Sequence, residues 1–90
     1  MRYRARVEVS LKPGLSDPEG ETSAESLKDL GYKVGRVSVS KVYYIYLKAD
    51  SLEEARERTE EMCRRLLANP VKDDYEIQVE KHDETVSGGH

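Results

Sequence analysis

Residues 2–12 alternate without a break. Tyr3, Ala5, Val7, Val9 and Leu11 fall on one face, and Arg2, Arg4, Arg6, Glu8, Ser10 and Lys12 on the other. Successive strand side chains point to opposite faces, so period two over this length predicts a strand with one buried face. A sheet with one apolar face needs a second layer over it, which limits the chain to a few architectures. Pro13-Gly14 ends the run.

The next segments supply the layer. Asp17-Pro18 predicts a helix start, with Asp as N-cap and Pro at the first helical position. Gly20, Ala24, Leu27 and Leu30 form a weak inner stripe, and Gly31 suits the left-handed residue past the helix end. Residues 34–48 then read as one overlong strand. Val37, Val39, Tyr43, Ile45 and Leu47 share a face, and from Val42 onward the other face turns apolar too, with Tyr44 and Tyr46. Strands usually run about five or six residues. This one must therefore break or outrun its domain, and Ser38-Val39-Ser40-Lys41 is the candidate bulge.

Ser51-Leu52-Glu53-Glu54 is a capping box opening a second helix. Its stripe is Leu52, Ala55, Thr59, Met62 and Leu66, widened by Cys63 and Leu67. Arg64 and Arg65 suit its last turn, and Asn69-Pro70 stops it. A last strand runs from Asp73 to Lys81 with Tyr75, Ile77 and Val79 on one side. The expected fold is α+β, order β-α-β-α-β: an antiparallel sheet with two helices on one face. A break in the long strand at Ser40 makes it ferredoxin-like, β-α-β-β-α-β. The domain spans 1–81, and the polar tail 82–90 is expected to be disordered.

Composition bears on partners. Ninety residues bury roughly 60–65% of their unfolded surface, a thin core. There is no Trp or Phe, and the six Tyr keep polar tips. Both features favour stabilisation by association through the sheet. Fifteen Lys and Arg against eighteen Asp and Glu leave a charge of −3, which argues against nucleic acid as partner. The stripe of Arg2, Arg4 and Arg6 is instead expected to pair with Glu76, Gln78 and Glu80. The chain opens directly into the alternation, and no run approaches about 20 apolar residues. Neither a leader nor a membrane span is predicted. One cysteine fits a reducing cytoplasm.

Little in the sequence points to chemistry of its own. Cys63 lies on an apolar helix stripe and reads as a small core residue. His82 and His90 fall in or beside the tail, where a base cannot be held in place. Glu54–Arg58, Glu60–Arg64 and Glu61–Arg65 are surface pairs of about 0.3–0.5 kcal/mol each. Asp73-Asp74 reads as a turn cap. No glycine spacing makes a phosphate loop.

Three motifs carry a resemblance. Met62-Cys63-Arg64-Arg65-Leu66-Leu67-Ala68-Asn69-Pro70-Val71 followed by Asp74-Tyr75 resembles the C-x-x-L-L-x-N-P-V-x-x-D-Y signature of the PurS-type small subunit of phosphoribosylformylglycinamidine synthase. Leu11 to Gly20 is similar to that family's L-K-x-G-x-x-D-P-x-G, and Leu27 to Tyr32 to its L-x-x-L-G-Y/H. Where the family carries V-R-x-G-K, the chain has Val37-Ser38-Val39-Ser40-Lys41 and so lacks the glycine. The resemblance implies a non-catalytic assembly subunit of an ATP- and glutamine-dependent ligase of purine biosynthesis. That enzyme amidates formylglycinamide ribonucleotide. A glutaminase subunit releases ammonia and a large synthetase subunit, holding ATP and Mg, consumes it. The small subunit, a homodimer or homotetramer, bridges them and assists ammonia transfer. No catalytic, cofactor or metal residue carries over. Candidate interface residues are Asp17, Pro18, Gly20, Lys41, Tyr43, Tyr44, Tyr46, Asn69, Pro70, Asp74 and Tyr75. The alternative reading is a ferredoxin-like sensor dimer for a small molecule or RNA.

Overall fold

The computed structural model describes residues 1–82. The strands are β1 (Arg2–Leu11), β2 (Lys41–Lys48) and β3 (Asp73–Lys81), and the helices α1 (Pro18–Asp29) and α2 (Leu52–Met62). The sheet order is β2-β1-β3, antiparallel throughout. β1 is central, and its alternation turns inward as predicted. Tyr3, Ala5, Val7 and Val9 are at most 6% exposed.

The ladder register is uniform. Even-numbered residues of β1 face β3 with Arg4 opposite Glu80, and odd ones bond β2 with Ala5 opposite Ile45. The terminal bonds fix this phase: Lys12 N–H to the Lys72 carbonyl at 2.7 Å, His82 N–H to that of Arg2 at 3.0 Å, and Ala49 N–H to that of Met1 at 3.0 Å. His82, counted with the tail in the sequence, is thus tied to β1. The expectation of disorder beyond it lies outside the described residues, as does His90.

The strand expected over 34–48 is shorter, because β2 begins at Lys41. In continued register Val39 would face Leu11 and donate to its carbonyl. Instead its N–H donates to Asp17 Oδ2 at 3.0 Å. A carboxylate takes the ladder bond and ends the pairing. Residues 34–40 form no strand, so the fold keeps three strands among the described residues and the ferredoxin-like option is not taken.

α2 covers the inner face of β1 and β3. Its capping box closes with a shift. Ser51 Oγ accepts from Glu54 N–H at 3.0 Å, while Glu54 Oε1 accepts from Asp50 N–H at 2.6 Å. The buried residues Ala55, Thr59 and Cys63 recur every four positions. The helix then widens. Ala68 N–H bonds the Cys63 carbonyl five residues back at 3.0 Å, and Cys63–Leu67 form a π turn. The wider turn rotates the stripe. Leu66, expected inside, is 82% exposed, and Leu67 packs on the core with Val7, Val9, Cys63 and Ala68. Leu52, also expected inside, is exposed. Glu54–Arg58 and Glu60–Arg64 pair as expected, but Glu61 turns to Arg58 at 3.9 Å rather than to Arg65.

α1 ends in a Schellman motif: Tyr32 N–H bonds the Leu27 carbonyl at 3.0 Å and Gly31 N–H that of Lys28 at 2.9 Å, with Gly31 at φ +98°. Only Gly20 and Ala24 of its stripe are buried, and Leu30 is exposed. α1 packs little against the sheet of its own chain.

The π turn makes a sharp prediction about two adjacent leucines. Leu67→Ala should cost about 1–3 kcal/mol, as a partly buried large-to-small change. Leu66→Ala should stay within about 0.5 kcal/mol of the parent in urea unfolding, as surface changes do. Equal losses would mean an ordinary α-helical turn.

Candidate interface at the motif end of the sheet

Two of the sequence motifs, Leu11–Gly20 and Met62–Tyr75, lie far apart in the chain, yet the fold gathers them at one end of the sheet. Asp17 is the centre. Its Oδ1 accepts from Gly20 N–H and its Oδ2 from Val39 N–H, both at 3.0 Å. One carboxylate thereby caps α1 and anchors the segment leading into β2. The two donors hold its carboxyl below the usual carboxylate range. Pro18 occupies the first helical position. Gly20 is bare for a steric reason: a Cβ there would meet the Val37 carbonyl oxygen at 2.2 Å.

Asn69 organises the opposite wall. Its Oδ1 accepts from Val71 N–H at 2.8 Å and Lys72 N–H at 3.2 Å, and its own N–H donates to Asp73 Oδ2 at 2.9 Å. Asp73 thus caps the turn, as expected for this pair. Asp74 turns to Lys12 instead, at 2.8 Å. Between the walls lies a hollow of about 370 Å³ lined by Asp17, Val39, Lys41, Leu67, Asn69 and Lys72 among others. The structure therefore brings Asp17, Lys41 and Asn69 together, with Pro18, Gly20 and Pro70 framing the same end.

The tyrosines go elsewhere. Tyr43 is half-buried against the main core cluster. Tyr44 and Tyr46 stand on the outer face of the sheet, 51% and 44% exposed. Arg4 lies over the Tyr44 ring at 5.2 Å and pairs with Glu80, and His82 meets Tyr46 edge-on at 4.9 Å. Arg6 faces Gln78 across the ladder but bonds Glu8 at 3.3 Å on its own strand. The expected cross-strand pairing is seen between Arg4 and Glu80.

Tyr75 donates to Glu60 Oε2 at 3.3 Å, and burial followed by the Glu60 charge pushes its phenol up. It lines a larger hollow of about 680 Å³ at the outer edge of β3, with Cys63, Arg64, Ala68 and Pro70. The sequence did not reveal this hollow, because it needs α2 beside an unpaired strand edge. Burial, then Glu60, raises the Cys63 thiol as well. Cys63 is buried in the main core cluster, and the thiolate, the reactive form, is disfavoured by that burial. Among the described residues no group of three or more His, Cys, Asp and Glu could hold a metal ion. No helix among them is long and apolar enough to cross a membrane.

Comparison with known proteins decides the family. The model for PurS, phosphoribosylformylglycinamidine (FGAM) synthase, matches residues 4–81. This chain belongs to the PurS family. The PurS subunit of Methanocaldococcus jannaschii is 45% identical over 80 residues, spanning 88% of this chain and 96% of that protein. The PurS subunit of Archaeoglobus fulgidus is 49% identical over 74 residues, 81% and 92% of the two chains. The crystal structure of M. jannaschii PurS, a subunit of formylglycinamide ribonucleotide amidotransferase, superposes with TM-score 0.81 at 44% identity, covering 90% and 99% of the chains. A chain in the structure of PurLQS from Thermotoga maritima gives 0.81 at 27% identity, covering 89% and 99%. Two of the PurS motifs thus map onto the end built by Asp17, Gly20 and Asn69, where Asp17 ties the start of α1 to the segment before β2 and Asn69 closes the turn into β3.

Two outcomes test that role. Gly20→Ala should cost about 1–3 kcal/mol in urea unfolding, because the Val37 carbonyl must move. The Asp17 carboxyl is depressed in the folded state. Its stabilisation is therefore full above the unfolded carboxyl pKa of about 4 and is lost as pH falls through the lower folded value. Asp17→Asn should flatten the acid limb of Tm against pH. An unchanged limb would refute the assignment.

Proposed function

We propose that this chain is the small, non-catalytic assembly subunit of phosphoribosylformylglycinamidine synthase, acting in the cytoplasm. It bridges the glutaminase and the ATP-dependent synthetase and assists ammonia transfer between them. ATP and Mg belong to the synthetase; this chain carries no cofactor. The names of its PurS relatives support the enzyme, and the structure of PurLQS supports the company of two further subunits.

One observation carries the bridging role: the molecule is unfinished on its own. Its Cα radius of gyration is 16.9 Å and its extents are 50 × 33 × 15 Å. A compact domain of this length has a radius near 12 Å. α1 packs little against the sheet, and Tyr44 and Tyr46 leave its outer face exposed. Such surface is stabilised by subunits packed on it. We propose that the chain associates as a homodimer or homotetramer through the sheet, using the Tyr44 and Tyr46 face.

The synthetase and glutaminase from the same source, mixed with and without this chain, test the function. Glutamine-dependent amidation should require the chain, while ammonia-dependent amidation should require it less. Activity indifferent to its addition would sink the proposal. Sedimentation at micromolar concentration should show an oligomer. Tyr44→Lys should weaken it by about tenfold or more, and Glu57→Lys should leave it intact.

A further inference from the structure

β3 is an edge strand, and the register says which of its groups are free. Its even-numbered residues bond β1. The N–H and C=O groups of Tyr75, Ile77, Val79 and Lys81 therefore point away from the sheet. The Ile77 carbonyl is touched by Arg56 Nη1 at 3.4 Å, a long bond to a side chain that can swing aside. Exposed strand edges template further strands, and natural proteins cover or blunt them.

This edge is also a groove. α2 and the π turn run alongside it, and two hollows follow one another there. The first, about 680 Å³, has a floor of Cys63, Ala68, Pro70 and Tyr75. The second, about 330 Å³, lies between Arg56, Glu60, Ile77 and Gln78. They meet at Tyr75 and Glu76, which line both. A row of free backbone groups beside a helix, with successive pockets, suits an added strand whose alternate side chains enter the pockets.

Charge selects the occupant. The two hollows hold the acids Asp73, Asp74, Glu76 and Glu60 against Lys12, Arg64 and Arg56, four against three. Lys12 is bound to Asp74 and Arg64 to Glu60. Glu76 has no cationic partner among the described residues and faces Glu8 across the ladder. We infer that the β3 edge receives an extended segment of one partner subunit, paired with β3 as a fourth strand and carrying alternating apolar and basic side chains. This deepens the proposed assembly role and rests on it.

Amide exchange on the full isotope-labelled chain tests it, alone and with the synthetase or the glutaminase. On complex formation with one of them, the Tyr75, Ile77 and Val79 amides should slow by about tenfold or more, since a ladder bond protects them. Glu76→Lys should weaken that complex by about tenfold, while Glu57→Lys should not. A complex that leaves these three amides as fast as in the free chain overturns the inference but not the assembly role. Protection that rises with the concentration of this chain alone gives the edge to a second copy and overturns it too. Failure of the chain to bind either partner overturns both.

Discussion

β1 is bonded on both edges, and β2, β3 and α2 take their positions from that strand. A central strand needs an apolar face that stays in phase over its whole length, because a slip of one residue would turn every side chain over. Tyr3, Ala5, Val7 and Val9 meet that need, and Arg4 on the wetted face is held by Glu80. β2 and β3 then bring their own alternations into one plane. α2 lies over the junction of β1 and β3, where Ala55, Thr59 and Cys63 allow close approach.

Much of this was legible because it is periodic. The three strands, two helices, both N-caps and the Gly31 terminus follow from spacing and local chemistry. What escaped depended on contacts between distant segments. Nothing in residues 34–48 says that Asp17 will claim the Val39 N–H, so the strand read too long. Leu66 and Leu67 are equivalent by composition, and only the bond from Ala68 to Cys63 decides which is buried. A stripe counted at 3.6 residues per turn fails where the helix widens.

The candidate site shows the same division. Asp17, Gly20 and Asn69 were found through motifs, but their chemistry is architectural: two accepted N–H groups, a position with no room for a methyl, and a turn closed by a side-chain amide. The surfaces proposed for partners are others, the β3 edge and the tyrosine face. The tyrosine face was legible as the apolar second row of Tyr44 and Tyr46, while the β3 edge is visible only once strand order is known, since the chain does not announce which strand will be central.

The order β2-β1-β3 has a further consequence, for biogenesis. The strand made first is the one that needs both others. Its last neighbour, Lys81 opposite Tyr3, is made only after nearly the whole chain has been translated. Contacts of such sequence separation slow folding and leave intermediates exposed to aggregation. A nascent β1 thus waits with its apolar row uncovered, backed by the polar row of Arg2, Arg4, Arg6, Glu8, Ser10 and Lys12. Arg4 is a ladder partner of Glu80 in the finished sheet, and the arginine stripe is expected to keep β1 solvated while the sheet is still being synthesised.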